Sequence, residues 1–104
     1  MRLEVLHVAD CPNTAVLTER LAILIARRSD VTLVHRLIRD EAAALAHGMT
    51  GSPTLLVEGI DPFAAGHPAS LSCRLYTDES GTVSGAPSLT QLRAVLDGAV
   101  EATR

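Results

Sequence analysis

The chain has 104 residues, 47% hydrophobic and 20% charged, which is typical of one folded domain and excludes an intrinsically disordered segment. Nine arginines and no lysine oppose twelve acidic residues, so the net charge is −3 and no basic surface for nucleic acid is expected. Aromatic residues make up only 2%, too few for the stacking surfaces of proteins that bind single-stranded nucleic acid.

Membrane and secretion signals are missing from the sequence. The longest apolar run, Leu21–Ala26, is bounded by arginines and is too short to span a bilayer. The N-terminus lacks the basic segment, apolar stretch and small-residue cleavage site of a secretory signal. We therefore expect a single cytoplasmic domain over residues 1–104, with no membrane or nucleic-acid partner.

The first two elements are predicted to be a strand and a helix. Residues Leu3–Val8 are rich in Val and Leu and end in a turn around Pro12, as a strand does. From residue 13 or 14 to Arg28 the apolar residues follow a helical period. The predicted inward face carries Leu17, Leu21 and Leu24, widened by Val16, Ile23 and Ile25.

Three further elements follow in the middle of the chain. They are a second strand, a short helix and a third strand, over Val31–Ile38, Glu41–Ala46 and Thr54–Glu58. Asp40 is expected to cap the short helix at its N-terminus, and Gly48 to close it.

The last part of the chain predicts a loop, a fourth strand and a final helix. The loop covers Gly59–Ser70, and the strand covers Leu71–Tyr76, with Leu71, Cys73 and Leu75 on its apolar face. After a turn at Asp78–Gly81, Ser88 caps a helix that runs to about Ala102. The order β-α-β-α-β-β-α predicts an α/β fold with the first two strands parallel and the last two antiparallel.

Cys11 is the strongest chemical signal because it lies between the first strand and the first helix. Unpaired N–H groups and the helix dipole stabilise a thiolate at this place and lower the pKa of the thiol. Pro12 suits the first helical position, and Thr14 could donate a hydrogen bond to the sulfur. Asp10 acts against the thiolate. The structural alternative is an inert Cys at the end of a strand.

Two further motifs give the sequence a family likeness. Residues Cys11–Thr14 read Cys-Pro-Asn-Thr after the first strand, residues Gly51–Thr54 read Gly-Ser-Pro-Thr before the third, and Ser84–Leu92 leads into the last helix. In these motifs and in its element order the chain resembles the thioredoxin superfamily. More narrowly it is similar to the DF family of small bacterial thioredoxin-like proteins, some of which carry selenocysteine at the active-site position. That second likeness rests on residues 10–13, 51–54, 61–63 and 73–76.

The resemblance implies a mixed four-stranded sheet flanked by helices and a thiol–disulfide oxidoreductase. It implies that Cys11 is the nucleophile and Pro53 a cis-proline facing it, with the backbone of Ser52 pairing with a substrate strand. We assign catalysis to Cys11, Thr14, Pro53 and Cys73, and substrate binding to Ser52, Pro53 and Pro12. The expected partner is a low-molecular-weight thiol or a protein disulfide, and no cofactor or metal is expected.

One departure from the thioredoxin pattern concerns the second cysteine, which is Thr14 here. A mixed disulfide on Cys11 must therefore be resolved by a small thiol, by a partner protein or by Cys73. The strand pattern favours a packed, apolar Cys73, since Cys is among the most buried residue types. The activity expected is of the monothiol glutaredoxin type, with a disulfide or a peroxide as substrate.

Three other functions remain open on the sequence alone. The fold could be a binding module with an unreactive Cys11. Cys11 and Cys73 together could handle a soft metal such as mercury or copper. An enzyme of the arsenate reductase type would require Arg36, Arg39 and Arg74 to converge on Cys11.

The four histidines (His7, His35, His47, His67) form no spaced ligand pair, so they predict no metal site. Asp61–Phe63 is expected to be a turn that buries the only Phe.

Overall fold

A computed structural model describes residues 1–63 and 68–102, with side chains described through residue 98. Three helices are found in this part of the chain, α1 (Pro12–Ile25), α2 (Glu41–His47) and α3 (Leu89–Ala102). Its strands are β1 (Arg2–His7), β2 (Thr32–Leu37), β3 (Thr50–Ser52), β4 (Thr54–Val57), β5 (Ser70–Cys73), β6 (Tyr76–Thr77) and β7 (Val83–Ser84). None of these helices has the length and apolarity needed to cross a membrane.

The central sheet is mixed and has the strand order β2-β1-β4. Strand β1 pairs parallel with β2, as the sequence predicts, with Val5 opposite His35. On its other edge β1 pairs antiparallel with β4, where Val5 lies opposite Leu55. Because β1 is central, it is paired on both sides as far as Leu6, and on the β2 side as far as His7.

Alternation along β1 and β4 gives the sheet a core on each face, because successive strand residues point to opposite sides. One face carries Leu3, Val5, Leu55 and Val57 and packs against α1 and α3, through buried residues that include Leu17, Leu21, Leu92 and Leu96. The opposite face carries Leu6 and Leu56, which pack with Ile38, Ala44 and Met49 around α2. The protein is therefore an α/β domain with helices on both faces of its sheet.

The predicted helix ends are confirmed for α2 and α3. The Asp40 carboxylate accepts a hydrogen bond from the Ala43 N–H at 2.7 Å, and Gly48 ends α2 in the left-handed conformation. At α3 the Ser88 hydroxyl accepts from the Gln91 N–H at 3.1 Å, while Gln91 Oε1 accepts from the Ser88 N–H at 3.0 Å. This reciprocal pair is a capping box.

The prediction for α1 is wrong at its C-terminus and on one part of its face. The helix ends at Ile25 rather than Arg28, so its last turn carries no basic residue. Arg28 instead pairs with Asp30 beyond the helix, at 3.1 Å. Ile23, predicted in the apolar stripe, is 60% exposed.

The prediction of a four-stranded sheet is also wrong, because the predicted fourth strand does not pair with the central sheet. Residues 71–76 divide between β5, which pairs parallel with β3, and β6, which forms a hairpin with β7. The predicted third and fourth strands therefore do not pair with each other. The third, β4, belongs to the three-stranded sheet, and β5 pairs with β3 in a separate two-stranded sheet. The turn at Asp78–Gly81 is confirmed within the hairpin, where Asp78 donates its N–H to Thr82 O at 2.9 Å.

The predicted apolar face of this segment is inverted in the structure. Cys73 is exposed and Leu75 is 70% exposed, whereas Arg74 and Tyr76 are buried. The prediction of a packed Cys73, which the strand pattern favoured, is therefore wrong. Arg74 can be buried because other parts of the chain supply hydrogen-bond acceptors for its guanidinium, as described below.

Candidate functional site

Cys11 is the N-cap residue of α1, as expected from its place between β1 and the helix. Its backbone is extended (φ −77°, ψ 112°), and Pro12 follows as an exposed residue in the first helical turn. Asp10 adopts a positive φ of 58° in the turn before it, a conformation that Asp reaches more readily than most residues. The Cys11 side chain is half-buried, so its sulfur is partly shielded and still open to a reagent.

Ser52 places its hydroxyl at the end of the central strand, next to the turn that carries Cys11. The residue is fully buried, and its Oγ accepts a hydrogen bond from the Val8 N–H at 3.1 Å. That bond occupies a lone pair of the oxygen and leaves the hydroxyl proton available to a thiolate, and the Ser52 hydroxyl lowers the pKa of Cys11. Ser52 thereby connects the end of the central strand to the thiol.

Thr14 supplies the second hydroxyl, one turn into α1. Its Oγ1 is buried and has no hydrogen-bond partner among the described residues. The hydroxyl is therefore free to donate to the Cys11 sulfur when that sulfur carries a charge, and it lowers the pKa of Cys11. Thr14 also donates its backbone N–H to Cys11 O at 3.2 Å, which closes the first turn of the helix.

The pKa of Cys11 lies below its ordinary value of 9.0. The largest single influence is partial burial of the sulfur, which raises the pKa because it desolvates the thiolate. Hydrogen bonds to the thiolate act in the opposite direction, and together they outweigh burial. They come from the hydroxyls of Ser52 and Thr14 and from the backbone N–H groups of Asn13 and Thr14.

An open groove of about 510 Å³ runs from Cys11 along α1. Its lining includes His7, Thr14, Thr18 and Glu19. The Thr18 hydroxyl donates to Thr14 O at 2.8 Å and lies 2.9 Å from Nε2 of His35, so its orientation is fixed from two sides. The groove gives a substrate access to the sulfur from the helix side.

The turn that carries Ser52 is closed against Arg74. Gly51 has φ +123°, and a Cβ placed on it would lie 2.7 Å from Arg74 Cβ, so only glycine fits here. The Ser52–Pro53 peptide bond is cis, and Pro53 is buried. The Thr54 hydroxyl donates to Gly51 O at 2.6 Å across the turn.

Arg74 is the centre of a buried polar cluster behind this turn. Its guanidinium pairs with the Asp61 carboxylate at 2.5 Å and donates to the Thr50 hydroxyl at 3.1 Å and to Phe63 O at 2.7 Å. The same group lies 4.7 Å from the centre of the Tyr76 ring, a cation–π contact. We call Asp61, Arg74 and Tyr76 the Arg74 cluster.

The Arg74 cluster binds two consecutive backbone carbonyl oxygens in the Ser52 turn. The Arg74 N–H donates to Ser52 O at 3.0 Å, and the Tyr76 hydroxyl donates to Pro53 O at 2.5 Å. The Ser52 carbonyl is therefore engaged within the chain, whereas the resemblance assigned the Ser52 backbone to a substrate strand. Burial raises the pKa of Tyr76, with nearby Arg74 opposing the change, so its hydroxyl stays protonated and donates.

Of the sequence-predicted site residues, Cys11, Thr14 and Ser52 meet around one sulfur, with Pro53 next in the chain. Cys73 lies on the neighbouring strand as the register partner of Ser52, and both cysteines are free thiols. Pro12 is exposed at the start of α1. The structure thus brings the two motifs of the sequence together at the start of one helix.

The arginines expected for an arsenate reductase do not converge on Cys11. Arg36 lies 3.6 Å from the Glu4 carboxylate on the surface of the sheet, and the guanidinium of Arg74 is held by Asp61. Arg39 lines a different groove, of about 550 Å³, with Val8 and Leu71.

Sequence reasoning missed the Arg74 cluster. It considered Arg74 only for an arsenate reductase site and Asp61 only as part of a turn. The expected burial of Phe63 is found in part, since its ring packs edge-on against Tyr76 at 5.6 Å between ring centres. The available signal was the alternation of Arg74 and Tyr76, which can form one face of a strand when a carboxylate neutralises the arginine. His67 lies outside the described residues.

No family model, curated protein or solved structure matches this chain.

Proposed function

We propose that this protein is a thiol–disulfide exchange protein of the monothiol glutaredoxin type, with a thioredoxin-like fold and Cys11 as its nucleophile. One observation carries the proposal, the half-buried Cys11 thiol at the N-cap of α1, beside the motif of the buried Ser52. The polar groups around this thiol lower its pKa and so favour the thiolate, which is the form of Cys that attacks disulfides.

The reaction follows from the charge of the sulfur. The Cys11 thiolate attacks one sulfur of a disulfide, a new S–S bond forms to the protein, and the other half leaves as a thiolate. A second thiol then attacks the mixed disulfide and returns Cys11 to the thiolate. With a peroxide as substrate, the O–O bond breaks, one oxygen joins Cys11 as a sulfenic acid, and the other leaves as water or an alcohol. One thiol converts the sulfenic acid to a mixed disulfide with loss of water, and a second thiol then releases Cys11.

The surrounding residues have separate roles in this scheme. Ser52 and Thr14 stabilise the Cys11 thiolate both as attacking group and as leaving group. The groove along α1 receives the part of the substrate next to the attacked sulfur. The expected substrates are a small disulfide or an accessible protein disulfide, because the groove is open rather than enclosed.

The proposal is tested by the pH dependence of thiol alkylation with iodoacetamide, for the wild type, Cys11→Ser and Cys73→Ser. We expect a thiol that titrates below 9.0 in the wild type and in Cys73→Ser but not in Cys11→Ser. Reaction of Cys11 only near its ordinary pKa, with no exchange with oxidised glutathione, would contradict the proposal. The protein would then be a binding module of this fold.

A further inference from the structure

Cys73 is held beside the strand that carries Ser52. Strand β5 is fixed to its neighbour β3 by the bond from the Ser70 N–H to Met49 O at 3.0 Å and by that from the Arg74 N–H to Ser52 O, also at 3.0 Å. In this ladder Cys73 is the register partner of Ser52. Adjacent strands lie about 4.8 Å apart, so the two residues are immediate neighbours.

Ser52 in turn lies at the end of the central strand, where its Oγ accepts from the Val8 N–H at 3.1 Å, three residues before Cys11. Its hydroxyl also lowers the pKa of Cys11. Cys73 is therefore one strand spacing from a residue beside the reactive sulfur. A disulfide needs Cα atoms within about 7 Å of each other, so the bond between the two cysteines forms across Ser52. The two cysteines, 62 positions apart in the sequence, are brought to the same turn.

Cys73 has the properties of an accessible thiol rather than a packing residue. It is an exposed free cysteine at the end of β5, and it lines a groove of about 340 Å³ with Thr50, Ser70 and Leu75. Its neighbour Arg74 is anchored by Asp61, which fixes the backbone at this point. An exposed thiol on a fixed backbone is available to attack a disulfide next to it.

We infer that Cys73 is the resolving cysteine for the mixed disulfide formed on Cys11, an inference that rests on the proposed function. The Cys73 thiolate attacks the Cys11 sulfur, the Cys11–Cys73 bond forms, and the substrate half leaves as a thiolate. One substrate disulfide is thereby reduced to two thiols while the two protein thiols are oxidised to one disulfide. Two molecules of a low-molecular-weight thiol then reduce the protein disulfide and leave as their own disulfide.

Thr14 occupies the position in α1 where a local resolving cysteine would stand, so the resolving thiol must come from elsewhere. A second thiol one turn along α1 would resolve the mixed disulfide locally, and this chain has a hydroxyl there. The hydroxyl stabilises the thiolate but cannot form a disulfide. Cys73 supplies the missing thiol from the neighbouring strand.

The test uses oxidised glutathione as the probe and intact mass as the readout. The reduced wild type, Cys73→Ser and Cys11→Ser are each mixed with it at low protein concentration and quenched with acid over a time course. Remaining thiols are blocked with N-ethylmaleimide, and modified sites are located by peptide mapping. The matched control is Ser72→Cys in the Cys73→Ser background, which moves the thiol to the adjacent exposed residue, one position away from the register partner of Ser52.

We expect the wild type to pass through a Cys11–glutathione adduct and to end as a monomer with a Cys11–Cys73 disulfide and no thiol to block. Cys73→Ser and the Ser72→Cys control should both stop at the adduct. The inference is overturned if the wild type accumulates the adduct as Cys73→Ser does, or if the control resolves it as fast as the wild type. If Cys11 forms no adduct in any variant, the proposed function fails first, and the inference fails with it.

Discussion

The guanidinium of Arg74 is buried against the carboxylate of Asp61, at 2.5 Å, with side-chain exposures of 5% and 9%. This pair is the centre of the Arg74 cluster, which binds the backbone carbonyl oxygens of Ser52 and Pro53. Its contribution is to fix the Ser52 backbone, and through it the hydroxyl that stabilises the thiolate.

Replacing Asp61 by Ala should lower the free energy of unfolding by about 3–5 kcal/mol, because it leaves the Arg74 charge buried without its partner. Urea unfolding measures this change. Glu4→Ala is the matched control, since Glu4 pairs with the more exposed Arg2 and Arg36 and should lose no more than about 1 kcal/mol. Equal decreases in the unfolding free energy of the two variants would show that Asp61 and Arg74 do not form a buried ion pair.

Gly51→Ala should be more damaging than an alanine at another glycine of positive φ. The left-handed backbone alone costs a non-glycine residue about 1–3 kcal/mol. At Gly51 the new Cβ would also lie 2.7 Å from Arg74 Cβ, an atom that cannot rotate away. At Gly48, with φ +83°, a Cβ meets nothing within 4 Å, so Gly48→Ala shows the backbone cost alone. Similar thermal midpoints for both variants would contradict the close packing of the turn on Arg74.

Thr14→Val should raise the pKa of Cys11, because it removes one hydroxyl that stabilises the thiolate. The rate of alkylation at neutral pH should fall, while the free energy of unfolding should change by no more than about 1 kcal/mol, since the hydroxyl has no hydrogen-bond partner among the described residues. Thr14→Ser keeps the hydroxyl and should keep the rate. A Thr14→Val variant as reactive as the wild type would show that the Thr14 hydroxyl does not bond to the sulfur.

The lowered pKa of Cys11 also predicts a pH dependence of stability. The unfolded chain holds the thiol proton up to about 9.0, whereas the folded chain releases it at lower pH. The folded state is therefore favoured increasingly as pH rises through the folded pKa, and the gain is complete above 9.0. Under reducing conditions, the unfolding free energy of the wild type should rise relative to Cys11→Ser between mildly acidic pH and pH 9.0. Parallel pH profiles for the two proteins would contradict the lowered pKa.

Much of the fold follows from local pattern. The run of Val and Leu over Leu3–Val8 predicts β1, and the Asp40 and Ser88 caps predict where α2 and α3 begin. The position of Cys11 at the start of α1 is equally local, because Pro12 and the end of β1 determine it. These features depend on residues within a few positions of one another.

The segment after residue 70 could not be predicted in the same way. Its pattern places Leu71, Cys73 and Leu75 inward, and the structure buries Arg74 and Tyr76 instead. That choice depends on Asp61, a carboxylate distant in sequence, and on the backbone oxygens of Phe63 and Pro53. No hydrophobic pattern contains this information, so the pairing of β5 with β3, and the place of Cys73 beside Ser52, could not be derived from the sequence.

Tyr76 gives the molecule a built-in optical reporter. The chain has no Trp, one Tyr and one Phe, so its near-ultraviolet circular dichroism arises mainly from one ring, held between Arg74 and Phe63. Far-ultraviolet dichroism reports the helices on the two faces of the sheet. Comparing the two signals during unfolding separates loss of the Ser52 support from loss of the core, without any added label.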